Sequence, residues 1–444
     1  MGRCAVSTQK QKRPFALRAL AAFSGTLAIL FVLLLAAYAL PGERVRQHVY
    51  DSARTIQNEG LYPEYLGFKL FQMDNYTDTL MLFEAASADE LPPLQAMMTN
   101  TAYNVDNFET LADDLAWYIE KDWSTGAQRT DAPALEPFSY ARYWHGYLIW
   151  LRPLLLLMPY TGVRIVQYIV LFSLLAMVLV QLRRRCGLRA AVWFAVSQLA
   201  VSVWFVPHQV QYFTCFMIAY AGCAWVLAKP RRSDVLCLGL LVLGTATAFC
   251  DLLVTPIITL GLPLTCWLLE PQQRLRGGVP QCALAVGGSL CWGTGYALCW
   301  AGKWALAGAV TGNNVLADAL HQAEVRTTAD TWHGMELTWR NIFGLLYDTL
   351  NSHHLFWPAL AVLAVLIALF ILSIRSKTAL VRALPLALTT CMTPAWFVLL
   401  RTHSIQHGWF TWRALGLTVF AGLAFLYYAC DLRAARRRLQ KGSI

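Results

Sequence analysis

Ten apolar stretches separated by polar connections constrain this chain more than any other feature. They lie near 15–40, 161–182, 188–206, 210–228, 234–250, 252–269, 280–304, 355–374, 383–400 and 411–430. Each is long enough, or nearly so, to cross the roughly 30 Å hydrocarbon core of a bilayer as a helix. Lipid offers no partners to backbone N–H and C=O groups, so a spanning segment must satisfy them internally. The expected fold is therefore all-α, a polytopic membrane bundle of about ten spans with a helical first outer loop. Charged residues make up 14% of the chain, against about 25% in soluble domains. The first stretch is longer than the roughly 7–15 apolar residues of a cleaved signal, so it is expected to remain as an anchor.

Charge sets the expected orientation. Arg3, Lys10, Lys12, Arg13 and Arg18 lead the first span, and Arg183, Arg184, Arg185 and Arg189 flank the next connection. Lys229, Arg231, Arg232, Arg274, Arg276, Arg375, Lys377 and Arg382 follow, then Arg433, Arg436, Arg437, Arg438 and Lys441 in the tail. These connections hold 22 of the 36 Lys and Arg residues, whereas loop 41–143 holds 17 acidic residues against 7 basic. The positive-inside rule then places both termini in the cytoplasm and loop 41–143 outside, in a plasma membrane of bacterial type. The basic runs are short and flank spans, so they are topology anchors touching membrane lipid rather than a nucleic-acid surface. The twelve cysteines include no C-x-x-C pair and none in loop 41–143. They suit buried packing rather than a disulfide or zinc framework. Two regions are expected: 1–160, with the first span and its outer loop, and 161–444, a bundle with a second outer loop near 306–355.

Within the first loop, Met73-Asp74-Asn75-Tyr76-Thr77-Asp78 carries two carboxylates four apart. On a helix they share a face, and such like charges repel unless a cation, a basic group or a shared proton lies between them. Leu66, Leu70, Met73, Leu80 and Phe83 recur at helical spacing, as on a helix along the membrane surface. Val45 to Gly60 and Asn107 to Trp117 read as helices, and 125–137 as a turn region. Arg142, His145 and Arg152 precede the second span, where anchoring and substrate binding both suit them. Asp251, between two spans, suits either a helix cap or a site. Between Ala307 and Phe356, His321 and Glu324 have metal-like spacing, yet a solvated helical lid is the expected structure there. The last outer turn packs Arg401, His403, His407 and Arg413 into thirteen residues. On the outer face such cations have no topological duty, and guanidinium suits phosphate.

The acidic motif, the Arg142–Arg152 segment and the Arg401–Arg413 segment resemble, remotely, the GT-C superfamily of polyprenyl-phosphate-sugar glycosyltransferases. The likeness covers the N-in first span, the large first outer loop and the multi-span bundle. Asp74-x-x-x-Asp78 departs from that family's adjacent acids or Asp-x-Asp. The resemblance implies a lipid-linked sugar donor and a glycan, lipid or protein acceptor. It implies Asp74 or Asp78 as catalytic carboxylate, serving as general base or holding a divalent cation, with no other cofactor. It implies Asn75, Arg142, His145, Arg152, His403, His407 and Arg413 as substrate-binding residues. A surface-polysaccharide polymerase or ligase would carry similar outer Arg and His and stays open, although such proteins typically have their large outer loop late. A transporter also stays open, although it would want ionisable residues in mid-span or paired broken helices, whereas most here sit at span ends.

A topology test follows. Fluorescent protein fused after residue 444 is expected to fluoresce, while alkaline phosphatase fused at 130 is expected to be active. The reverse pattern would invert the orientation.

Overall fold

The computed structural model describes residues 14–68, 71–88, 90–104, 136–276, 278–328, parts of 331–354, and 356–431. The expected helices of 107–117 and the turn region up to 135 lie outside the described residues, as do Asp330, His333, Asp348 and His353. The fold is an all-α membrane bundle. All ten apolar stretches contain a helix. Eight are long and apolar enough to span: Phe15–Tyr38 (α1), Tyr160–Cys186, Val210–Ala228, Ser233–Cys250, Gly278–Thr311, Phe356–Ser373, Lys377–Leu399 and Gly408–Ala429. The other two, Leu188–Ala200 and Ile257–Leu268, are shorter.

The polar connections sort to opposite ends. At one end Arg18 at the start of α1 meets Asp234 at 3.1 Å, Arg185 meets Glu270 at 2.9 Å, and Arg274 donates to the Tyr428 hydroxyl at 2.6 Å. This is the end with the basic connections. At the other end the first loop folds over the bundle as Glu43–Glu59 (α2), Asn75–Ser87 (α3), Pro93–Thr99 (α4), a ribbon of Thr101–Asn104 (β1) with Glu136–Ser139 (β2), and Leu148–Leu155 (α5). The described residues of the loop are thus mostly, not wholly, helical. Pro92 and Pro93 interrupt α-structure, and the antiparallel ribbon pairs Thr101 with Ser139 and Asn104 with Glu136.

One expectation fails. Leu66 to Phe83 is not a continuous surface helix. Leu66 and Gly67 adopt left-handed backbone, with φ of 58° and 69°, and α3 begins only at Asn75. Leu66 is 76% exposed, whereas Met73 and Phe83 are buried, so their helical spacing arises from separate elements.

Beyond the loop come Tyr160–Cys186 (α6), Leu188–Ala200 (α7), Val210–Ala228 (α8), Ser233–Cys250 (α9), Ile257–Leu268 (α10) and Gly278–Thr311 (α11). Val315–Thr328 (α12), Phe356–Ser373 (α13), Lys377–Leu399 (α14), Arg401–Gln406 (α15) and Leu415–Ala429 (α16) complete it. The bundle closes on small residues. A Cβ on Gly244 of α9 would sit 2.1 Å from the Trp292 carbonyl of α11, and one on Gly295 would sit 2.2 Å from the Leu241 carbonyl. With lipid as solvent, such close backbone approach supplies much of the packing between helices. Gly295→Leu should therefore lower the melting temperature of the detergent-purified protein, with an overpacking cost of about 1–3 kcal/mol. Gly287→Leu, at a position with open space around it, should leave it nearly unchanged.

Candidate functional site

Asp74 and Asp78 are both buried, and each caps a helix. Asp74 is the N-cap of α3: it accepts from the Thr77 amide at 3.0 Å and the Thr77 hydroxyl at 2.7 Å, which is why the helix starts here. Asp78 reaches across to the N-terminus of α8. It accepts from the amides of Val210 at 3.0 Å and Gln211 at 3.3 Å, and from the Tyr160 hydroxyl. The first free amides of a helix carry partial positive charge, so a carboxylate seated there is stabilised. Burial nevertheless pushes the Asp78 carboxyl up to about 7 and raises that of Asp74.

Asn75, between them, is wholly buried. Its amide donates to Glu59 at 3.1 Å and to the Gly60 carbonyl at 2.8 Å, and its oxygen accepts from Gln209 at 2.7 Å. Gln209 in turn accepts from the Asp74 amide at 3.0 Å. Glu59 receives Arg164 of α6 in a fork at 2.5 and 2.8 Å, and Arg164 donates to the His208 carbonyl at 3.0 Å. Burial works against the Glu59 charge, yet His208 and Arg164 hold its carboxyl down to about 2. The motif is thus bolted to α6 and α8. Asn75 acts as a positioning residue here rather than a free substrate contact.

Arg413 is the opposite case. It is 1% exposed, and among the described residues its three nitrogens meet no carboxylate or carbonyl; the Tyr212 hydroxyl is the polar group beside them. Its guanidinium lies 4.6 Å over the Tyr212 ring and 5.3 Å from that of Trp412. Tyr212, in the first turn of α8, is within electrostatic reach of Arg413, Asp74 and Asp78. The Tyr212 hydroxyl is buried beside Arg413 and the Gln211 side chain is buried beside Asp74, while the Thr411 hydroxyl has no hydrogen-bond partner among the described residues. No ion pair or hydrogen bond joins either Asp to Arg413. Aromatic contacts fix the two segments together: Trp409 meets Tyr62 edge-on at 5.9 Å, and Tyr62 lies 6.3 Å from Tyr76.

His403 and His407 stand 4.7 Å apart beside this turn. Nε2 of His403 lies 2.9 Å from the Leu253 carbonyl. Burial, with Arg326 nearby, pushes their imidazoles down to about 3 and about 4, so both are neutral at pH 7. They offer hydrogen bonds, not charge, and the fixed cation of the turn is arginine.

The remaining residues expected to bind substrate lie elsewhere. His145 is buried at 2.7 Å from Glu84, which also accepts from Tyr147. Arg152 is wholly buried and donates to the Leu40 carbonyl at 2.9 Å and the Tyr38 carbonyl at 3.4 Å, holding the end of α1. These bonds tie α5 to α1. Arg142 pairs with Asp318 at 3.2 Å, on another cleft. Asp251 caps its own turn at the Val254 amide, at 3.2–3.3 Å, with its carboxyl raised by burial to about 6. Among the described residues no three His, Cys, Asp or Glu side chains converge as a metal site. The oxygens of Asp74 and Asp78 are already committed to Thr77, Tyr160 and the α8 backbone.

Sequence reasoning missed Glu59, Tyr160, Arg164, Gln209 and Tyr212. The available signal was polar: Arg164 sits in the first turn of an apolar span, where a charge is costly unless partnered. Comparison of the chain with protein-family models, curated proteins and solved structures finds no match.

The Asp78 environment predicts a pH effect. A carboxyl whose folded pKa exceeds its unfolded value binds protons preferentially in the fold. Its stabilising contribution is full below the unfolded value and is lost as pH rises through about 7. The stability of wild type relative to Asp78→Asn should therefore fall by on the order of 2–3 kcal/mol between pH 5 and pH 8. A pH-independent difference in melting temperature would show that Asp78 is ionised throughout.

Proposed function

We propose that this membrane protein transfers a sugar from a polyprenyl-phosphate donor to a hydroxyl acceptor on the outer face of the membrane. The observation that carries this is Arg413: a buried guanidinium that meets no carboxylate among the described residues, beside a Tyr212 that also feels the Asp74 and Asp78 charges. An unpartnered buried cation costs several kcal/mol, so a bound anion is its natural complement. A phosphate monoanion or diester fits, because its oxygens accept from the planar fork.

In this reading the acceptor oxygen attacks the anomeric carbon of the donor. The bond from that carbon to the phosphate oxygen breaks, and the phosphate leaves with the electron pair. Arg413 stabilises the charge that grows on it, assisted by the Tyr212 hydroxyl and the Gln211 amide. The hydroxyl proton passes to a carboxylate. Asp78 already accepts three hydrogen bonds and anchors α8, so it positions the site. Asp74 accepts from Thr77 and has the Gln211 side chain beside it, lies near Tyr62 and Tyr76, and has a carboxyl raised by burial, as suits a general base. No step requires a metal ion.

The test uses a strain whose surface glycan depends on this protein. Asp74→Asn and Arg413→Gln should each reduce glycan transfer by about a hundredfold or more while protein levels hold. A deletion strain should accumulate the lipid-linked sugar. Unchanged glycan in Asp74→Asn and Asp78→Asn would defeat the proposal. Solute uptake that persists in both variants would place the chain among transporters instead.

A further inference from the structure

A second cleft opens at the same end of the bundle, between α11, α12 and α14. Its volume is about 120 Å³, and its walls are aromatic: Tyr143, Tyr296, Trp300, Trp304 and Trp396. Along α11 these rings run in register, with Tyr296 5.0 Å from Trp300 and Trp300 5.9 Å from Trp304. The charged groups of the cleft are both cations, Arg142 and Arg326, and its other polar side chains, among them Gln322 and Thr327, are neutral. Arg326 donates to the Tyr143 hydroxyl, and among the described residues no carboxylate pairs with it. Arg142 is tied to Asp318, an exposed partner, and its Nε is buried without one. The Tyr296 hydroxyl and the Trp300 indole N–H are buried without partners as well. Tyr296 is only 7% exposed. Buried donors left unpaired are costly, and together with two guanidinium groups they call for an acceptor-rich anion.

The rest of the cleft excludes a strongly hydrated ligand. Its walls are overwhelmingly apolar, and the outer surface beside it exposes Leu320 and Val325 on α12 and Val398 and Leu399 on α14. An anion held here must carry an apolar body that continues into the bilayer. We propose that this cleft binds the phosphate headgroup of a single membrane lipid. Arg326 and Arg142 hold the phosphate, the Tyr296 hydroxyl and the Trp300 indole donate to its oxygens, and the chain leaves past Trp304 and Trp396. The site is separate from Arg413 and does not depend on the sugar-transfer reading.

The full chain in phosphatidylcholine nanodiscs, titrated with hexadecyl phosphate and read by native mass spectrometry, tests this. Saturable binding is expected, with hexadecanol at least about tenfold weaker and inorganic phosphate failing to compete. Arg326→Gln should weaken binding about tenfold, and so should Ala323→Trp, which fills the cleft from an exposed position on α12. Arg413→Gln should leave binding within about twofold. Equal binding of the alcohol would mean an apolar groove only. Competition by inorganic phosphate would mean a soluble-anion site. Loss of binding in Arg413→Gln alone would mean the lipid sits beside the acidic motif. Each of these results overturns the proposal.

Discussion

The carboxylate of Asp78, seated on the first amides of α8, is the interaction on which the rest of the loop end depends. It replaces water at a helix terminus buried beneath the first loop, where unmet donors would be costly. Around it the fork of Arg164 on Glu59 and the bridging amides of Asn75 and Gln209 close a continuous network. That network joins α2, α3, α6 and α8, so loop and bundle share one rigid seat. Removing one member would strand the others as buried polar groups, which is why the motif tolerates a pair of like charges four apart.

Two buried arginines make the contrast that points to function. Arg164 is satisfied by a carboxylate and a carbonyl, as a structural cation should be. Arg413 has none of these partners. The histidines beside it are neutral, so they do not repel it and do not replace it. A cation kept bare inside a bundle loses stability that a bound anion restores. The aromatic contact between Trp409 and Tyr62 ties the last turn to the first loop, and Tyr212 feels both Arg413 and the acidic motif.

The bundle was legible because apolar length and basic flanks act locally: each span announces itself within about twenty residues. The first loop was less so. Apolar spacing from Leu66 to Phe83 imitated one helix, although a left-handed turn at Leu66 and Gly67 divides it. Asp74, Asp78 and Arg413 stood out by residue type and position, but their surroundings did not show in the sequence. Whether a carboxylate caps a helix or meets a substrate is decided by partners such as Tyr160 and Val210, over 80 positions away in the chain. Arg152 failed for the same reason, since the carbonyls it holds belong to the end of α1.

The most direct measurement is an electron cryo-microscopy map of the protein in lipid nanodiscs with a polyprenyl phosphate. Density for the phosphate should lie about 3 Å from the nitrogens of Arg413, with Tyr212 and Gln211 turned towards it. A map in which a carboxylate of the chain itself pairs with Arg413, with no ligand density between Arg413 and Asp74, would contradict the assignment.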